Sequence, residues 1–265
     1  GRKGAPVIGS GLFICGFGDN GGWVIADSIT TGDVYSNGML PYGQADMITA
    51  GIFIVNGTKI KNLVHNGSVT TYGVNDMVLD TWGHVEKWIA EKPITSYGPS
   101  GIGFVNFGIV DEFEAKDKIE TFGLGARGFN QYDGTVTKAT FQSITTHGNG
   151  SIGMQFSKAV GSIDVKNGIV TNGSEGQSLV KGVLFSLPAD AVSVKPGGEI
   201  QQLTISGGIT TNGDNVRSYN VEGGIVHQLN ISGDIIANGE NSIAIAVSND
   251  GQTPLNNISA ISKQG

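Results

Sequence analysis

Three aromatic residues, Trp82, Phe107 and Tyr132, follow one another at intervals of 25 residues. Asn130 and Gln155 repeat at the same interval, and Asp80 falls in phase with them. If the chain coils with that period, such residues line up on one surface. Aromatic rings stack on the apolar faces of sugars, while amides and carboxylates bind hydroxyls. This constellation predicts a groove for an oligo- or polysaccharide. Trp82, Phe107 and Tyr132 would be the stacking platform. Asn130 and Gln155 would orient hydroxyls, and Arg127 would stand at the rim. Asp80 and Asp133 are the candidate acid and base, with His84 as an alternative base. Glycoside hydrolysis needs two carboxylates about 5–9 Å apart. Asp80 and Asp133 lie two units apart, about 10 Å in a stack of strands, which is at the long end.

Composition bounds the rest. The 265 residues include 43 glycines, and only 15% are charged, which argues against a helical bundle. Glycine does not recur every third residue and prolines number only seven, so collagen is excluded. There is no apolar run of about 18 residues to span a membrane. A net charge of −7 with three arginines gives no basic footprint for nucleic acid. The single cysteine, Cys15, excludes an intramolecular disulfide framework. The four histidines, His65, His84, His147 and His227, fall in separate units without metal-ligand spacing. Three G-x-G-x-x-G matches, starting at Gly16, Gly123 and Gly148, read as turn glycines rather than a dinucleotide loop. No metal and no cofactor is expected.

The elements that would position these residues come from an internal repeat. Val85-Glu-Lys-Trp88-Ile-Ala90 with Ile94-Thr-Ser96-Tyr-Gly98 matches Val110–Ala115 with Ile119–Gly123, and Val160–Val165 with Ile169–Gly173. The closing glycines 73, 98, 123, 148 and 173 are each 25 apart. Alternation within each piece has period two, so the pieces are strands. A further strand precedes each pair, as in Ile102–Phe107, Ile52–Asn56, Val183–Leu187 and Ile243–Ala246. Each unit is therefore strand 1, strand 2, a short turn, strand 3 and a glycine turn. One such unit cannot bury its inner face, and stacking copies does so.

This arrangement resembles the right-handed parallel β-helix of the pectate-lyase-like superfamily. The resemblance implies one all-β domain over 1–265, wound in about nine coils of about 25 residues. Insertions are expected near 33–50, 174–181 and 188–198, overhanging strand 1. The resemblance places any site on the strand 1 face. The clustered aspartates of the superfamily's calcium-dependent lyases and the paired aspartates of its polygalacturonase-like members are both missing, so no one reaction is implied. Trimeric β-helices are common in this superfamily, which makes strand 1 as the seam of a homotrimer an alternative to a groove.

Alternation predicts Met77 and Leu79 inward, with Val78, Asp80 and Trp82 outward. It also turns Gly103, Gly128 and Gly153 outward, as a groove column without side chains. His65 sits in an inward column and reads as a satisfied core histidine. Thr30, Thr70, Thr95, Thr145 and Thr210 form a broken outward ladder on strand 3, consistent with strand propensity. Three functional readings follow. The first is a secreted or cell-surface protein that processes or binds carbohydrate. The second is a non-catalytic adhesin or tailspike-like module. The third is an enzyme acting on a smaller, more apolar substrate.

Overall fold

In the computed structural model, residues 9–41, 47–180 and 182–264 are described, and all of their regular structure is strand. Three parallel sheets hold nine, eight and nine strands. The chain is a parallel β-solenoid of about eight turns with about 26 residues per turn. A typical coil is Ile102–Asn106, Ile109–Ala115 and Ile119–Thr121. Each strand pairs with its counterpart in the coils before and after. A ninth coil has its first and third strands, Ile243–Ser248 and Ala260–Gln264, but no second.

The inner columns explain the repeat. Leu79, Phe104, Phe129 and Met154 are register partners on strand 1, and all are fully buried. Trp88 and Phe113 come from strand 2, and Phe104 stacks on Phe113 at 4.2 Å. Each buried Phe contributes roughly 1.5–3 kcal/mol over an exposed one. The closing glycines are fixed by backbone approach: a Cβ on Gly98 would lie 1.7 Å from the Gly73 carbonyl oxygen. His65 is a satisfied core residue. The Trp88 indole N–H donates to its Nε2 at 2.8 Å, and Thr31 Oγ1 lies 2.7 Å from its Nδ1.

Four expectations are corrected. Val183–Leu187 is not a coil strand: it pairs antiparallel with Gly176–Val180 as a hairpin. The strand 1 position in that coil belongs to Val192–Val194, paired with Met154–Phe156. The two insertions expected there are thus one excursion centred on the hairpin. Thr30 belongs to strand 2 beside Val64, so it is not part of the strand 3 ladder. Leu255-Asn-Asn-Ile258, whose apolar spacing reads as the start of one more strand 2, forms no strand; Asn257 has φ 58°, and a lone bridge from Gln252 to Ile225 stands in that place. Within the expected 33–50 insertion, residues 42–46 lie outside the described residues, as does residue 181.

The fourth correction concerns facing. Val78 and Leu79 both pack in the inner core, while Met77 joins an outer cluster with Ala50, Phe53, Ile102, Val105 and Tyr132. Strand 1 turns a corner at this point, so strict alternation slips by one residue. The glycine column faces inward with Val78. A Cβ on Gly103 would lie 2.4 Å from Ile119 Cγ2 of strand 3 and 2.6 Å from the Gly128 carbonyl oxygen. The glycines let strands 1 and 3 approach, and the groove has no column free of side chains.

A candidate functional site under the hairpin

The outer column of strand 1 runs Phe53, Asp80, Val105, Asn130, Gln155 in register. The hairpin runs across successive coils on this face. Gly176 lies against Gly150, Gln177 and Ser178 against Gly125, and the Leu179 N–H donates to Ser100 Oγ at 3.3 Å. It therefore steps back one coil with every residue or two. Arg127 pins it from below. This guanidinium is fully buried and donates from Nη1 to the Tyr132 hydroxyl and from Nη2 to Ser178 Oγ at 2.9 Å. Ser178 in turn donates to the Gly125 carbonyl at 2.9 Å. Among the described residues no carboxylate lies within ion-pair distance of Arg127.

Between hairpin, strand 1 and the segment before Thr49 lies a cavity of about 460 Å³. That size suits a small ligand. Its lining includes Ile48, Met77, Ile102, Val105, Leu179 and Gly182, with the rings of Trp82, Phe107 and Tyr132. Among the described residues its polar side chains are Asp80 and Asn75, whose Nδ2 donates to the Met47 carbonyl at 2.6 Å. The Ile48 side of the cavity is tied down by Asp76, which accepts from Thr49 Oγ1 at 2.9 Å and Ser36 Oγ at 3.2 Å.

The aromatic residues do form a continuous line. Trp82 and Phe107 are 4.8 Å apart, and Phe107 stacks on Tyr132 at 5.1 Å. Both faces of Phe107 are thus taken by its neighbours in the column, and its edge is what remains for a ligand. The line continues to Phe53 and Phe13 through edge-to-face contacts.

Asp80 is fully buried, and neither carboxyl oxygen has a hydrogen-bond partner. Its stacking neighbours are Phe53 and Val105. Burial pushes its carboxyl well above the ordinary carboxylate range. The Trp82 indole N–H acts in the opposite direction without closing a hydrogen bond to either oxygen. The environment therefore favours the neutral acid.

Of the residues singled out in the sequence, Asp80, Trp82, Phe107 and Tyr132 meet in the cavity lining. Arg127 lies behind Tyr132 and supports the hairpin. Asn130 and Gln155 continue the same column away from the lining. Asn130 is fully buried with both amide atoms unpaired, and Gln155 Nε2 lies 3.3 Å from Ser157 Oγ. Asp133 is exposed, 3.8 Å from Lys158 Nζ. His84 pairs with Asp111 at 3.0 Å on the strand 2 side. Neither Asp133 nor His84 reaches the lining, so among the described residues the cavity is lined by one carboxyl group rather than a pair.

Sequence reasoning missed Met77, Ile102 and Leu179. Met77, Ile102 and Arg127 were legible as a third line of residues 25 apart, once the corner at Val78 is allowed for. The hairpin's signal was Gly182, which has φ 84° at its tip.

A second ordered line runs along the exit of strand 3. Tyr72, Tyr97, Phe122 and His147 stack ring on ring at 5.3, 4.9 and 4.6 Å. Asn172, Asn212 and Asn238 extend it through side-chain hydrogen bonds of 3.1, 2.7 and 2.6 Å. Here every ring and amide is engaged by its neighbours, so the line stiffens the coil edge. Among the described residues no group of three or more His, Cys, Asp or Glu side chains is placed to hold a metal.

No protein-family model, curated protein or solved structure matches this chain.

Proposed function

We propose that the cavity under the hairpin binds a compact, predominantly apolar molecule, and that this binding is the protein's function. One observation carries the reading: the described residues of the lining are aliphatic side chains and aromatic rings with a single carboxyl group. A sugar would bring several hydroxyls, each needing a partner, into a lining that offers few. This weight falls on the third functional reading, a smaller apolar substrate. Kinship with the pectate-lyase-like superfamily, and the right-handed winding that goes with it, belong to the same proposal and rest on the repeat.

The test is a titration with ring-bearing small molecules and with oligosaccharides, followed by NMR shifts of the cavity residues. A Val105→Trp variant puts an indole into the cavity, and its circular dichroism shows whether the coils still stack. Saturable binding of the small molecules, lost in V105W, is the expected result. Saturable binding of an oligosaccharide instead, or binding unchanged in V105W, would refute the reading.

Two observations keep other occupants in the experiment. Trp82 is 38% exposed, which leaves surface for one sugar ring at the mouth. Phe13 and the hairpin's Val183, Leu184 and Phe185 are also exposed, which supports self-association, such as a trimer, through this face. A sedimentation mass of 27.5 kDa at micromolar concentration would remove the second.

A further inference from the structure

We infer that Asp80 is a hydrogen-bond donor to the ligand, and that the cavity therefore takes an uncharged molecule carrying a carbonyl or ether oxygen on an apolar frame. This deepens the proposed function and rests on the cavity being a binding site.

Three features of the geometry support it. First, Asp80 is fully buried with two unpartnered oxygens, and its neighbours in the stack, Phe53 and Val105, offer no polar group. An apolar side chain would fill this position more favourably unless something entering the cavity used the acid. Second, among the described residues no cation lies within ion-pair distance of it. The buried cation of this face, Arg127, turns Nη1 to Tyr132 and Nη2 to Ser178. An unanswered carboxyl group in such a place is held as the neutral acid, and a neutral carboxyl has one O–H to donate. Third, Phe107, the ring at the centre of the line, offers no face to a ligand ammonium group. Cations are attracted to ring faces, but the faces of Phe107 are covered by Trp82 and Tyr132 at 4.8 and 5.1 Å. What remains of Phe107 is its edge, whose hydrogens carry positive charge and favour an electronegative ligand atom. The carboxyl oxygens are shut off from bulk water, so a turn of the Asp80 side chain toward the cavity is what brings the O–H to the ligand.

The test uses the whole protein and four probes on one benzene frame: ethylbenzene, acetophenone, 1-phenylethylamine and benzoate. Affinities are read from NMR titrations at pH 6. One neutral hydrogen bond predicts acetophenone binding about fivefold tighter than ethylbenzene. Asp80→Asn, whose amide N–H can still donate, keeps much of that preference. Asp80→Leu, which has no donor, erases it. Infrared difference spectra supply an independent readout. A carboxylic acid C=O band should shift on adding acetophenone to the native protein, and that shift should be missing in D80N.

If ethylbenzene binds and acetophenone binds no better, the inference fails while the binding site stands. If the amine binds best, Asp80 is a counter-ion and the inference is overturned. If no probe binds, and V105W changes nothing, the cavity reading itself falls and takes the inference with it.

Discussion

The most quantitative consequence of the fold concerns His65. Its ring is buried in the second coil, with Nε2 accepting from Trp88 Nε1 at 2.8 Å. That bond fixes the tautomer: Nδ1 carries the proton and donates to Thr31 Oγ1, 2.7 Å away. Desolvation lowers its pKa from 6.5 to about 4. Because the folded pKa is depressed, folding favours the neutral ring. The resulting stability is fully present above pH 6.5 and is lost as pH falls toward 4. At 1.36 kcal/mol per pH unit, the whole loss is about 3 kcal/mol, of which about 2 kcal/mol has gone by pH 5.

The perturbation is acidification, compared between the native protein and His65→Gln. Glutamine can accept from Trp88 and donate to Thr31 but does not titrate. Equilibrium urea unfolding at pH 7 and pH 5 gives the two differences. The raised carboxyls of Asp76, Asp80 and Asp190 act with the opposite sign, since stability from a protonated buried acid falls as pH rises. They are common to both proteins and cancel in the comparison. The native protein should therefore lose about 2 kcal/mol more than H65Q between pH 7 and 5. Equal losses in both proteins, or a His65 ring titrating near 6.5 by NMR, would refute the reasoning.

Gly103→Val places a branched side chain 2.4 Å from Ile119 and against the Gly128 backbone, and should destabilise the fold by about 2–3 kcal/mol in urea unfolding. Ser178→Ala leaves a buried guanidinium N–H of Arg127 without its acceptor, weakening the hairpin by about 1–3 kcal/mol. Faster proteolysis within 176–187, with the coils still protected from hydrogen exchange, is the expected signature. Phe122→Ala breaks the exposed ring stack between Tyr97 and His147 and should lower stability by about 1 kcal/mol without changing probe affinity in the cavity.

Most of the solenoid is legible from the chain because period-two alternation and 25-residue spacing reinforce each other at every coil. Val183–Leu187 misleads because its alternation is that of a coil strand. Only its antiparallel partner, Gly176–Val180, distinguishes it, and that pairing is tertiary. Val192–Val194 is hidden for the converse reason, being three residues between Pro188 and Pro196. The facing of Met77 and Val78 escapes a strict alternation rule because a corner lies between them. Residues 51, 103, 128 and 153 are glycines in phase with Val78, a column of small residues that marks close packing as readily as a groove. Asp80, Trp82, Phe107 and Tyr132 are found because they share a coil phase. Asp133 and His84 are near them in number but turn away, Asp133 to Lys158 and His84 to Asp111.

The hairpin's placement has a bearing on how the protein is made. Chains emerge from the ribosome N-terminus first, and a solenoid can add each coil to the one before it. The coils from Thr49 to Tyr132 can therefore be stacked before residues 174–187 have been synthesised. During that interval Met77, Ile102 and Val105 form an uncovered apolar strip on a growing sheet. The bond from Leu179 to Ser100 closes it only 79 residues later. The newborn chain thus carries an adhesive strip until the hairpin has emerged, and the segment that completes the pocket is also the one that ends that exposure.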